Sequence, residues 1–407
     1  MPVLWNKIHL GDVIDINPKS VGKKYPYDKI LYVDISSVGT GLADSPVQLK
    51  LEKAPSRARR LVADGDTIIS TVRPNRRSFL YIKNPSENLV VSTGFAVLHP
   101  KLINPRFLYY LVTNQSFTDY LTLHAKGAAY PAVDTDTISR AEVSIPSIDV
   151  QGSIVDVLAS YDELIQNNVR RIQVLEQMAQ AIYKEWFINF HFPGHEKKRL
   201  VDSRTDFGKI PEGWLGRIDD YIDYKEGPGI RNFQYTDSGI PFLNIRTLVD
   251  GEIDINKCNH LDPIFVKTKY AHFLLQENDM VVSSSGTIGR VAVVRKSHLP
   301  LCLNTSIIRM RSKNSRLGIW QLKYFLLSDY FQNQITAHAG GAAQVNYGPA
   351  HLQQMFIIAP DEKTSEKFEA IVAPMEETIK LLRDEKLNLI KSRDLLIPKL
   401  ITGEIRV

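Results

Sequence analysis

His124-Ala-Lys-Gly-Ala-Ala129 and His338-Ala-Gly-Gly-Ala-Ala343 are almost the same six residues written twice, 214 positions apart. Working outward, Pro146 and Pro360 keep that interval, as do Tyr110 with Tyr324 and Phe117 with Phe331. Upstream the interval shrinks. Asp66-Thr-Ile-Ile-Ser70 resembles Asp279-Met-Val-Val-Ser283 at 213, Tyr32-Val-Asp-Ile35 resembles Phe242-Leu-Asn-Ile245 at 210, and Val13-Ile-Asp15 resembles Tyr221-Ile-Asp223 at 208. Insertions in surface loops produce such drift. A period this long is a duplicated domain pair, because solenoid repeats run to only about 20–50 residues.

Each copy divides into a globular part and a long helix. The globular parts, 1–145 and 212–359, carry short strand-like runs such as Thr67–Val72 and Arg290–Val294, bounded by Gly, Pro, Asn and Asp. Helical patches at Pro105–Tyr120 and Leu317–Thr336 lie between them, so a mixed α/β (α+β) fold is expected. Segment 146–190 is read as a central helix. Ile154, Leu158, Tyr161, Ile165, Asn168, Ile172, Leu175, Ala179, Ile182 and Trp186 are spaced 4-3-4-3, a heptad seam with one polar member. Segment 360–407 repeats it with Phe368, Val372, Met375, Ile379, Leu382, Lys386, Leu389, Arg393, Leu396 and Leu400. Neither helix can bury its seam alone, so the two are expected to pack as an antiparallel coiled coil. Pro374 is expected to start or kink the second helix, and Pro398 to end or kink it. The polar, Gly- and Pro-containing segment 191–211 reads as a linker.

Composition narrows the class. The chain has 407 residues, 43% hydrophobic and 23% charged, an ordinary soluble balance. Its start, MPVLWNKIHLGD, lacks the pattern of a signal peptide, and no run approaches the ~18 apolar residues of a membrane span. Cys258 and Cys302 alone exclude a disulfide framework and a cysteine-rich zinc site, and fit a reducing cytoplasm. A net charge of +5 permits nucleic acid as a partner without demanding it.

Catalytic patterns are missing. There is no Walker A loop and no Gly-x-Gly-x-x-Gly; Gly227-Pro-Gly229 is too short. The Asn-Pro-Pro-aromatic motif of amino-methyltransferases fails at Asn84-Pro-Ser and Asn104-Pro-Arg. Pro360-Asp-Glu-Lys363 superficially resembles a nuclease carboxylate cluster. Its repeat mate Pro146-Ser-Ile-Asp149 does not keep the pattern, and a helix N-terminus explains the acids. His191 and His195 lack partners at metal-ligand spacing, and no Ser-His arrangement suggests a triad.

Nucleic-acid chemistry is present. Lys50–Lys83 holds nine Lys/Arg against three Asp/Glu. Arg57, Arg59 and Arg60 are candidates for phosphate. Arg73, Asn75, Arg76 and Arg77, on a loop around Pro74, are candidates for base edges; a solvated basic loop is the competing reading. In the second copy the matching strand leads into Ser283-Ser-Ser-Gly-Thr-Ile-Gly-Arg290. There Ser284, Ser285, Thr287 and Arg290 suit close approach of backbone N–H groups to phosphate, or else form a plain tight turn. Lys126 and Tyr130, and their counterparts Gln344, Asn346 and Tyr347, sit on the twice-written loop. Arg231 and Arg246 complete the candidate set.

Four segments carry a family resemblance. Leu175-Glu-Gln-Met-Ala-Gln-Ala-Ile-Tyr-Lys-Glu-Trp-Phe187 resembles the central region of type I restriction-modification specificity subunits. Arg393-Asp-Leu-Leu-Ile-Pro-Lys-Leu-Ile-Thr-Gly-Glu-Ile405 resembles their C-terminal end, Ile210-Pro-Glu-Gly-Trp214 the entry to their second recognition domain, and Ser285-Gly-Thr-Ile-Gly-Arg290 a turn common there. The first copy departs, opening with Pro2-Val-Leu-Trp5 and placing Arg73-Pro-Asn at that turn. The resemblance implies a non-catalytic reader of double-stranded DNA, with one half of a bipartite asymmetric site per recognition domain. It implies helices that dock methyltransferase subunits, two of them, and a separate motor-nuclease subunit. S-adenosylmethionine, ATP and Mg belong to those partners and no cofactor to this chain. Alternatives are the specificity subunit of a related two-protein restriction-methylation enzyme, a stand-alone DNA methyltransferase and a coiled-coil scaffold.

Overall fold

The structure is a computed structural model that describes residues 5–340 and 345–407. Contacts divide the chain into two compact units. The first is Met1–Gln166 with Leu387–Val407, and the second is Asn167–Lys386.

In the first unit the central sheet consists of β1 (Ile14–Ile16), β2 (Thr67–Ser70), β3 (Phe79–Tyr81) and β4 (Phe95–Pro100), in the order β1-β4-β2-β3. The second unit repeats it with β5 (Ile222–Glu226), β6 (Met280–Ser283), β7 (Val291–Val293) and β8 (Ile307–Ser312), ordered β5-β8-β6-β7. The duplication extends to register. Ile14 pairs Pro100 as Ile222 pairs Ser312, and Ser70 pairs Phe95 as Ser283 pairs Ile307. Every residue of β2 and of β6 is buried, so these strands read as near-continuous apolar runs rather than alternating ones. The first unit adds a second four-stranded sheet containing Ala58–Leu61, and the second unit a three-stranded one.

Two short helices cover each central sheet: α1 (Pro105–Thr113) and α2 (Gln115–His124) in the first unit, α4 (Ile319–Leu327) and α5 (Asp329–His338) in the second. Between them in sequence runs α3 (Ile148–Phe187), and α6 (Glu362–Ile401) follows α5. Both long helices have 40 residues. They pack together antiparallel. In the first unit Ile154 and Leu158 share a core with Leu400 and Ile401; in the second, Ile172 clusters with Ile379 and Leu382, and Trp186 stacks edge-on against Phe368. Every position of both seams is buried or half-buried. Two of the three polar seam members pair across the helices. Asn168 Nδ2 donates to Glu385 Oε2 at 2.9 Å, and Arg393 Nη1 to Asp162 Oδ1 at 2.7 Å.

Both prolines lie inside α6. The helix does not start at Pro374 or end at Pro398 but runs from Glu362 to Ile401. Seam burial outweighs the local cost of a missing N–H, about 3 kcal/mol in an isolated helix. The segment between α3 and the second sheet forms a hairpin, Leu200–Asp202 with Lys209–Pro211. Its aromatics Phe192 and Phe207 are core residues, and Phe192 stacks on Trp214 with ring centroids 4.5 Å apart.

Candidate nucleic-acid interface

The two loops singled out in each copy meet at the end of the central sheet. In the first unit Val72, following β2, bridges Ala132, and Lys126 bridges the same residue. Arg73 N donates to Pro131 O at 2.7 Å, and Val133 N to Thr71 O at 2.9 Å. In the second unit Ser285, following β6, bridges Asn346, and Gly340 bridges that residue in turn. Gly286 N donates to Val345 O at 3.1 Å, and Tyr347 N to Ser284 O at 3.0 Å. Bond for bond, the platform is the same.

Its chemistry differs. In the first unit the turn around Pro74 places Arg73 and Arg77 in left-handed backbone conformations, with φ of 50° and 55°. Side chains rarely adopt that region, so surrounding contacts must hold them there. Arg73 Nη2 donates to Ala129 O at 3.1 Å, and its guanidinium lies 4.6 Å from the centroid of the Tyr130 ring. Tyr130 is 71% exposed. Arg77 is tied down instead, donating to Thr113 O and to Gln115 Oε1, each at 2.8 Å. It therefore clamps the turn onto α2. Asn75 and Arg76 are exposed.

In the second unit glycines supply the same left-handed turns, Gly286 with φ 68° and Gly289 with φ 81°. A Cβ on Gly289 would lie 2.1 Å from Gln332 Oε1, so α5 packs against bare backbone there. Four amides of this turn are bonded within the protein. The N–H groups of Ser284, Gly286, Gly289 and Arg290 bond to Ser306 O, Val345 O, Ser283 O and Ser283 Oγ. Arg290 Nη1 also turns inward, to Leu248 O at 3.0 Å. Ser284 is buried, and Tyr347 is 2% exposed with its hydroxyl enclosed, so the surface is left to Ser285, Thr287, Arg290 and Asn346. Gln344 lies outside the described residues.

The remaining arginines flank these platforms. Arg57 Nε donates to Asp34 Oδ2 at 2.8 Å and to the Tyr32 hydroxyl at 3.2 Å. Burial pushes Asp34 up, but hydrogen bonds from Tyr32 and Ser36 and the charge of Arg57 hold it below the usual carboxylate range. Arg57 O accepts from Thr93 N, and Gly94 O from Thr71 N, which brings this arginine beside the platform. Arg59 is exposed, whereas Arg60 is half-buried in its strand. Arg246 belongs to a short turn, Ile245–Thr247, whose Ile245 side chain abuts Gly286. Arg231 is exposed, and two residues on stands Phe233, 82% exposed, an aromatic that sequence periodicity gave no reason to single out.

Among the described residues, no group of three or more His, Cys, Asp and Glu is placed to hold a metal ion, and no helix is long and apolar enough to cross a membrane. Asp361 acts as a helix cap, accepting from Thr364 N at 3.1 Å and pairing with Lys198 at 3.1 Å.

This duplicated platform on an antiparallel helix pair coincides with what comparison of the whole chain finds. Residues 2–177 and 211–392 both match the type I restriction modification DNA specificity domain. The chain belongs to that family: it is a specificity subunit, a non-catalytic component of a type I restriction-modification complex. It is 27% identical over 362 residues to the type I restriction enzyme MjaIX specificity subunit of Methanocaldococcus jannaschii, covering 88% of this chain and 81% of that one. It is 23% identical to the HindI specificity subunit of Haemophilus influenzae, covering 98% and 99%. The crystal structure of the type I restriction-modification S subunit from M. genitalium has the same fold, with a TM-score of 0.54 at 12% identity over 98% of this chain and 96% of that one.

Proposed function

We propose that each unit's platform reads one half of an asymmetric, bipartite site on double-stranded DNA. The observation that carries this reading is the platform itself: one backbone frame, built twice, carrying different side chains. Two half-sites of different sequence need that combination. In the first unit Arg57 and Arg59 contact phosphate, while Arg73, Asn75, Arg76, Lys126 and Tyr130 face the bases or the adjoining backbone. In the second, Arg231, Arg246, Ser285, Thr287 and Asn346 do so. Phosphate contacts set position, and base-edge contacts set sequence.

The long helices fix the distance between half-sites and dock two methyltransferase subunits, and a motor-nuclease subunit completes the complex in the cytoplasm. S-adenosylmethionine, ATP and Mg belong to those partners. A helix of 40 residues rises about 60 Å, enough to span successive major grooves some 34–36 Å apart.

Methylome sequencing of cells with and without this gene tests the reading. One split motif should vanish with the gene, and replacing residues 212–359 by those of a relative should change one half of that motif. A methylome unchanged by the deletion, or a folded chimera that alters both halves, overturns it.

A further inference from the structure

We propose that Arg73, held rigid by Tyr130, reads a guanine in the half-site of the first unit. This rests on the reading of the platform as a DNA interface and names the base that one residue recognises.

Four observations converge on Arg73 rather than its neighbours. First, its backbone is left-handed at a position where the second unit has Gly286. The conformation does not require an arginine, so the side chain has a use that offsets a cost of about 1–3 kcal/mol. Second, the guanidinium is fixed in two directions, by the bond from Nη2 to Ala129 O and by the face of Tyr130. Among the described residues, Nε and Nη1 make no hydrogen bond of their own. Third, Tyr130 is largely exposed, and its ring lies against the Arg73 guanidinium. Fourth, the other arginines of the loop are accounted for differently. Arg77 is bonded to α2, and Arg76 is exposed on the turn.

A planar fork pre-set in one orientation matches the paired acceptors O6 and N7 that guanine presents in the major groove. Prior ordering also spares the side-chain entropy that a free arginine loses on binding. Since Gly286 has no side chain, the second unit has no counterpart to this reader.

The test uses the full chain expressed with its partner subunits. First, the methylated motif of the wild type is compared with those of R73A, R73K and Y130A. The wild type should show a guanine in one half-site. R73A should relax that position alone, from a preference of about tenfold or more to near none, given the usual discrimination of a bidentate pair. R73K should fail to restore it, because an ammonium lacks the fork, and Y130A, which removes the ring that holds the guanidinium, should weaken it. Second, 7-deazaguanine, which lacks N7, is placed at that position in a duplex. Binding of the wild type should weaken about tenfold and binding of R73A should not change. A merely structural role for Arg73 would leave wild-type binding insensitive to the analogue. If the wild type has a split motif but R73A keeps the guanine, or the analogue has no effect, the assignment to Arg73 is wrong and the function stands. If the wild type has no split motif, the function itself is wrong. Should R73A fail to fold, R73K and the analogue on wild-type protein decide.

Discussion

Where the first short helix of each unit meets a long helix, the two units solve one problem with different chemistry. In the first, Asn104 caps α1 with its own side chain, Oδ1 accepting from Arg106 N and Phe107 N. In the second the matching residue is Gly318, which has nothing to offer. The cap comes from Glu369 on α6, whose Oε1 accepts from Trp320 N and Gln321 N. A tyrosine hydroxyl then reaches a carboxylate on a long helix at 2.5 Å in both units, Tyr110 to Asp162 and Tyr324 to Glu376. The balancing cation differs. Arg393 arrives from α6 in the first unit, whereas Lys323 rises from α4 itself in the second. The frame tolerates either, because what a buried group requires is a partner within bonding distance, whichever element supplies it.

The ion pairs give the largest expected contrast. Glu376 and Lys323 are both buried, so E376A strands an ammonium without a counter-charge and should destabilise the second unit by about 3–5 kcal/mol in urea unfolding. Asp162 and Arg393 are more open, and D162A should cost about 1–3 kcal/mol. Equal losses would show that burial does not decide the difference.

The caps come next. Burial pushes Glu369 up to about 7, against the hydrogen bonds from Gln321 and Trp320 that lower it, from an ordinary value of 4.5. Its folded value is raised, so the folded protein binds the extra proton. The stability it contributes is complete below about 4.5 and lost as pH rises through 7. E369Q keeps the accepting oxygen and should remove this dependence, gaining about 1–2 kcal/mol over wild type at pH 8 and nothing at pH 4.5. N104D installs a carboxylate at the other cap, near the surface, and should show no comparable gain at low pH. Stability measured as the difference between variant and wild type at each pH excludes the other titrating groups.

The smallest effect separates charge from reading. Arg59 is exposed, with Nε donating to Ser56 O at 3.2 Å. R59A should weaken binding to all sequences alike and flatten the salt dependence of affinity by about one unit. A change in sequence preference would place Arg59 among the base readers.

The parts of the fold visible in the sequence were those written in periodicity. The heptad seam could be read because a helix face repeats every three to four residues, and the duplication because its intervals persist. Tyr110 and Tyr324 stood out as matching apolar positions, but their carboxylates lie 52 residues further along the chain and have no local signature. The same holds for Glu369, an acid on α6 that serves another helix. At the candidate interface, residue type identified the loops and could not sort their members. Arg73 and Arg77 look alike in sequence, yet one faces a tyrosine at the surface and the other is bonded to α2. Ser284 and Tyr347 looked available and are buried, because the strand pattern continues into the turn. Phe192 and Phe207 were obscured by the charged residues around them.

The first unit takes its core from two distant stretches of chain. Leu400 and Ile401 are as much a part of it as Ile154 and Leu158, although more than two hundred residues separate them. On the ribosome, synthesis at about 5–20 residues per second leaves the early stretch waiting some 12–50 seconds for its missing helix. Through that interval the apolar seam of α3 between Ile154 and Ile165 has no mate. A nascent chain halted before Leu387 should therefore expose a surface that chaperones hold and proteases cut, even though the second unit is by then fully synthesised.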